Sequence, residues 1–151
     1  MILPDPVSTD VSLKNDINDN FGRLTTTTAM KKFLIVDDHA DIRRLIRLTL
    51  EVEDAHVLEA GDAQSGWESA LREHPDVVLL DVMMPGDTNG LDLCLALKID
   101  PALAGTKVVM LSARGGSADR EAGARAGADA YLVKPFSPME LLSVVDEQVA
   151  A

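Results

Sequence analysis

The chain has 151 residues, of which 46% are hydrophobic, and a formal net charge of -11; that suffices for one domain with a substantial core and is too short for two. The acidic balance disfavours direct contact with nucleic acid or anionic lipid, and no apolar run approaches the roughly 18 residues of a membrane span. Cys94 is the sole cysteine, which excludes an intrachain disulfide and a cysteine-built zinc site.

Residues 1–30 form a segment of different character, rich in Asp, Asn, Thr and Ser, and are expected to be a flexible N-terminal extension. Leu13, Ile17, Phe21 and Leu24 are spaced for a short amphipathic helix, but the intervening Asn, Asp and Gly residues oppose it. No basic region followed by an apolar one marks a secretory signal, so a cytoplasmic chain is expected.

From residue 31 to 151 the pattern is that of one domain. Its first strand, FLIV at 33–36, runs directly into Asp37 and Asp38. A helix follows over 39–53, with Ile42, Leu45, Ile46, Leu48 and Leu50 as its apolar side and Arg43, Arg44 and Arg47 opposite. His39 is expected to be a solvated residue of its first turn, and the arginines a solvated face. The second strand, 55–60, contributes only Glu59; the second helix, 62–73, carries Trp67. The third strand, 76–80, ends at Asp81, and the third helix, 90–98, contains Cys94 as a buried residue. The fourth strand, 107–111, ends at Ser112 and leads through a glycine-containing linker into a helix over 117–126. The fifth, 130–133, ends at Lys134 before a helix over 137–149.

Five apolar, β-branched strands alternating with five helices predict a doubly wound α/β fold, a five-stranded parallel sheet with helices on both faces. Such sheets collect polar sites at the carboxyl ends of their strands, where Asp37, Asp38, Asp81, Ser112 and Lys134 all fall. Two carboxylates about 4 Å apart repel by roughly 4 kcal/mol at an effective dielectric near 20. A cation is therefore expected among them, and an all-oxygen site with room for water suits Mg²⁺. Metal, ammonium and hydroxyl around one carboxylate suit an incoming phosphoryl group, with Asp81 as the nucleophile.

The acidic pair Asp37-Asp38, DVMMPG with Asp81, Ser112 followed by Ala113, Tyr131, and KPF with Lys134 resemble the receiver domains of bacterial two-component response regulators, including the single-domain chemotaxis regulator. The resemblance covers residues 31 to about 150. It implies a flavodoxin-like fold with strand order 2-1-3-4-5. Asp81 would be the phosphoacceptor. Asp38 would bind Mg²⁺ directly and Asp37 mainly through water, with Asp81 and the Met83 carbonyl completing the protein ligands. Lys134 and Ser112 would hold phosphoryl oxygens, and the Lys134–Pro135 bond would be cis. Ser112 and Tyr131 would be the switch pair.

The donor would be a sensor histidine kinase or a histidine phosphotransfer protein. Output would pass to another protein through the face of the fourth helix, fifth strand and fifth helix, with a phosphorylation-linked dimer among the outcomes. No enzymatic activity is expected beyond the chain's own phosphotransfer and slow dephosphorylation, and no output domain is expected after the fifth helix. Two alternatives are an unphosphorylated interaction module and an aspartate-nucleophile phosphatase of the haloacid dehalogenase type; the latter needs a second acid where this chain has Met83. The chain departs from the commoner family pattern in the longer Pro85–Gly90 loop. Met83 and Arg114 flank the site and are expected to hinder the water that hydrolyses the phosphoaspartate.

Overall fold

The computed structural model describes residues 30–150 except Glu53, Pro85, Asp87 and Thr88. The extension over 1–30, apart from Met30, and Pro85, Asp87 and Thr88 of the Pro85–Gly90 loop lie outside the described residues. The elements alternate as the sequence predicts: β1 (Lys31–Val36), α1 (Ala40–Leu50), β2 (Ala55–Ala60), α2 (Ala63–Glu73), β3 (Val77–Asp81), α3 (Gly90–Ile99), β4 (Lys107–Ser112), α4 (Ser117–Arg125), β5 (Ala130–Val133) and α5 (Pro138–Ala150). A short 3-10 turn, Pro101–Leu103, follows α3. The sheet is parallel with order β2-β1-β3-β4-β5.

Each central strand is buried on both faces, and alternation divides its side chains between two cores. Leu34, Val36, Val78, Leu80, Val108 and Met110 face α2 and α3, meeting Ala70, Leu93, Cys94 and Leu97. Phe33, Ile35, Val77, Leu79, Val109 and Leu111 face α1 and α5, meeting Ile46, Leu50, Leu141 and Val145. Each fully buried aliphatic side chain of this kind contributes about 1.5–3 kcal/mol.

The helix starts are set locally. Asp62 caps α2 by accepting from the Ser65 N–H at 2.7 Å, and Asn89 caps α3 by accepting from the Asp92 N–H at 2.9 Å. At α5, Ser137 and Glu140 form a reciprocal capping box: the Ser137 hydroxyl accepts from the Glu140 N–H at 3.1 Å, and the Glu140 carboxylate from the Ser137 N–H at 2.8 Å.

The apolar side of α1 is narrower than its sequence suggests. Ile46 and Leu50 are buried and Ile42 is half-buried, whereas Leu45 and Leu48 are exposed. Thr49 is buried in their stead because its hydroxyl donates to the Leu45 carbonyl at 2.8 Å, which satisfies its polar atom within the helix.

The start of α3 comes unusually close to the end of β3. A Cβ on Gly90 would lie 2.1 Å from the Asp81 carbonyl oxygen and 2.7 Å from the Val82 Cα, both backbone atoms that have no side-chain freedom to move away. Gly105, by contrast, has nothing within 4 Å of such a Cβ. Gly90→Ala is expected to destabilise the fold by about 1–3 kcal/mol, and Gly105→Ala by no more than about 0.5 kcal/mol, measured by urea unfolding of the two variants against the parent chain.

Candidate functional site

Strand register decides which side chains meet. Leu80, one residue before Asp81, pairs with Val36 of β1, one residue before Asp37. Asp81 pairs with Leu111 of β4, one residue before Ser112, and Ser112 pairs with Val133, one residue before Lys134. Four neighbouring strands therefore deliver Asp37, Asp81, Ser112 and Lys134 to one edge.

Asp37 is fully buried, and Asp81 and Ser112 are 3% and 2% exposed. The Lys134 ammonium donates to Asp37 Oδ2 at 2.8 Å and lies 3.5 Å from Asp81 Oδ1. It is thus the bridge between two buried carboxylates. The Lys134–Pro135 bond is cis, in line with the family resemblance. The Met83 N–H donates to Asp81 Oδ1 at 3.2 Å, which folds the chain after β3 back over the carboxylate. The Met83 side chain itself is largely exposed. Burial pushes the Asp81 carboxyl above its ordinary range; the neighbouring Asp37 charge pushes the same way, and Lys134 only partly offsets them.

The residues present fit a divalent cation. Carboxylate oxygens of Asp37, Asp38 and Asp81 and a ring nitrogen of His39 all lie within 4.8 Å of one another. Asp38 Oδ1 is buried and has no hydrogen-bond partner among the described residues. A buried, unpaired carboxylate oxygen is costly unless a cation takes it up.

Ser112 and Tyr131 are connected through a single loop residue. The Ser112 hydroxyl accepts from the Arg114 N–H at 3.0 Å, while the Tyr131 hydroxyl donates to the Arg114 carbonyl at 2.7 Å. The Tyr131 ring is half-buried, lies against Gly123 of α4 and carries the Arg120 guanidinium 5.1 Å from its centroid.

Two sequence readings need correction. Arg43 and Arg47 do not simply form a solvated face. Both bind Glu59 at the edge strand β2, Arg43 at 2.9 Å, and Arg43 also donates to the Asp37 carbonyl at 2.7 Å. Glu59 is correspondingly held below the usual carboxylate range, chiefly by its hydrogen bond from Arg47. This contact was invisible in the sequence because Glu59 and the arginines meet only once β2 has paired with β1. His39 is solvated as expected, with its side chain 64% exposed, but it stands one residue before the first helical turn. It is the N-cap of α1 and makes no side-chain cap bond; its N–H and its Nδ1 instead face Asp37 Oδ1 at 2.8 and 3.1 Å. Its position directly after the acidic pair was the available signal. Cys94 is buried as expected, with its thiol pushed up to about 11 by burial. Trp67 sits on α2, packed on the opposite face of the sheet from α1 and α5.

Residues 33–146 match the family described as the response regulator receiver domain. The chain belongs to that family. The receiver fold here is 43% identical over 111 residues to the transcriptional regulatory protein ResD of Bacillus subtilis, covering 74% of this chain and 45% of that protein. It is 41% identical over 113 residues to the phosphate regulon regulator PhoB of Pseudomonas aeruginosa, covering 75% and 49%. The chain thus spans about half the length of the curated relatives it matches. Among solved structures, Vibrio cholerae chemotaxis protein CheY4 superposes with a TM-score of 0.74 at 31% identity, covering 79% of this chain and 98% of that one. The BeF3-activated DrrB receiver domain gives a TM-score of 0.74 at 29% identity, covering 82% and 100%. The match to receivers leaves no support for the haloacid dehalogenase-type alternative. Among the described residues no helix is long and apolar enough to cross a membrane.

The raised Asp81 carboxyl carries a stability signature in chelator-treated protein. An acid whose folded-state pKa exceeds its unfolded value binds more protons when folded, so stability falls as pH rises through that window. Asp81→Asn removes the ionisation and is expected to raise the melting temperature at pH 7, with the gain shrinking toward pH 4. Thermal melts of both proteins at the two pH values check this.

Proposed function

We propose that this receiver accepts a phosphoryl group on Asp81 from a sensor histidine kinase or a histidine phosphotransfer protein, and that the modification alters its protein contacts. The observation that carries the reading is the Lys134 ammonium held between the Asp37 and Asp81 carboxylates at the sheet edge. Asp81 is central, buried and flanked by charge of both signs, as a carboxylate nucleophile for phosphorus requires.

Asp38 and Asp81, with the Met83 carbonyl, would hold Mg²⁺, and Asp37 would act mainly through metal-bound water. Bound there, the ion supplies charge neutralisation for the phosphoryl oxygens. Lys134 orients Asp81 and then binds a phosphoryl oxygen; the Ser112 hydroxyl binds another. The carboxylate oxygen of Asp81 attacks phosphorus, the histidine nitrogen of the donor leaves, and the phosphoryl group stays on Asp81 as an acyl phosphate.

The phosphoryl group adds roughly two negative charges beside β4. If the Ser112 hydroxyl turns to it, the Arg114 N–H loses its acceptor. The same residue's carbonyl holds Tyr131, so the change reaches the face formed by α4, β5 and α5. That face would meet the downstream protein or a second copy. The transcription-regulating names of ResD and PhoB belong to proteins about twice as long as the matched region; direct nucleic-acid binding is not assigned to this acidic chain.

Incubation with acetyl phosphate and Mg²⁺, or with a phosphorylated kinase, is expected to label the protein by one phosphoryl group in intact-mass spectra. Asp81→Asn is expected to abolish the label and Lys134→Ala to reduce it sharply. A label that survives in Asp81→Asn overturns the assignment, and the absence of any label in the parent chain favours the unphosphorylated interaction module.

Met83 and Arg114 sit on the two loops whose backbone N–H groups contact Asp81 and Ser112, and both side chains are exposed. Met83→Asn and Arg114→Ala are expected to speed loss of the phosphoryl group, by up to about ten-fold, or about 1.4 kcal/mol of barrier. Decay followed by phosphate release checks this; equal or slower decay in both variants refutes it.

A further inference from the structure

We propose that His39 is an additional ligand of the acidic site, which makes it a mixed nitrogen–oxygen centre open to divalent ions that favour imidazole, such as Zn²⁺. The inference rests on the proposed cation site and adds a donor that an all-oxygen Mg²⁺ site does not use.

The geometry brings His39 within reach of an ion held by the acidic pair. His39 Nδ1 lies 3.1 Å from Asp37 Oδ1 and 3.3 Å from Asp38 Oδ1. Two ligands each about 2.1 Å from one ion stand about 3.0 Å apart at a right angle and about 3.4 Å apart at the tetrahedral angle. The His39–Asp38 separation falls in that interval, the His39–Asp37 contact is a hydrogen bond in the ion-free chain, and the four residues together keep their ligand atoms within 4.8 Å. Asp38 Oδ1, the oxygen nearest to His39 on that residue, is the buried one that lacks a hydrogen bond.

The backbone fixes this arrangement. The His39 N–H is tied to Asp37 Oδ1 at 2.8 Å, and the His39 carbonyl accepts from the Arg43 N–H at 3.1 Å as the first bond of α1. The ring therefore leaves the chain at the mouth of the acidic edge. Its side chain is 64% exposed, so on ion binding the proton that Nδ1 shares with Asp37 Oδ1 can be replaced by one on Nε2, toward water, which frees the Nδ1 lone pair for the ion. Imidazole binds Zn²⁺ well, whereas Mg²⁺ prefers carboxylate, carbonyl and water. His39 should therefore discriminate between the two ions while Asp38 serves both.

The test uses the full chain with Zn²⁺ and Mg²⁺ as separate probes, read by titration calorimetry and by long-range proton–nitrogen spectra of the histidine rings. His39→Asn is expected to weaken Zn²⁺ binding by at least about ten-fold and to leave Mg²⁺ binding within about two-fold. Zn²⁺ is expected to shift the Nδ1 resonance of His39 while those of His56 and His74 stay in place. Asp38→Asn is expected to lose both ions. Unchanged Zn²⁺ affinity in His39→Asn, or an unmoved Nδ1 signal, overturns the role of His39 while Mg²⁺ binding keeps the parent reading intact. Binding of neither ion in the unmodified chain, or of both equally in Asp38→Asn, overturns the cation site and His39 with it.

Discussion

Lys134 between Asp37 and Asp81 is the interaction on which the site depends. Two buried carboxylates one strand apart repel each other, and burial together with the Asp37 charge raises the Asp81 carboxyl despite the nearby Lys134 ammonium. The fold tolerates the imbalance because the apolar strands that end in these residues are buried on both faces. Register then leaves the acids no freedom to separate. Folding energy drawn from the two cores thus holds a charge arrangement that is unstable by itself and receptive to positive charge.

The loops after β3 and β4 make that arrangement readable elsewhere. Each returns a backbone N–H to the side chain that ends its own strand: Met83 to Asp81 and Arg114 to Ser112. Arg114 also accepts from Tyr131, so one peptide segment touches both the acidic sheet edge and the α4–β5 surface. The acidic edge and the α4–β5 surface are thus only one loop apart.

The opposite flank is braced differently. Glu59 at the end of β2 gathers Arg43 and Arg47 from α1, and Arg43 reaches on to the Asp37 carbonyl. This ties the edge strand, the first helix and the start of the acidic turn together. His39, the N-cap of α1, stands beside that brace, which explains how an exposed ring can still be aimed at the acidic pair.

Much of this was legible in the linear chain. Alternating β-branched runs and helical periods specify a parallel doubly wound sheet, and an acid, hydroxyl or lysine at the end of four strands marks its functional edge. These are local patterns, set by side-chain period and by the hydrophobicity of strands buried on both faces. Other features arose only from tertiary structure: the exposure of Leu45 and Leu48, the burial of Thr49, the Glu59–arginine brace, the Arg114 bridge from Ser112 to Tyr131, and the direction of the His39 ring. Each depends on distances between segments far apart in the chain, on which fraction of a helix face the sheet actually covers, or, for His39, on the backbone turn that the sheet edge imposes after β1. Residue order alone carries neither quantity; packing decides both.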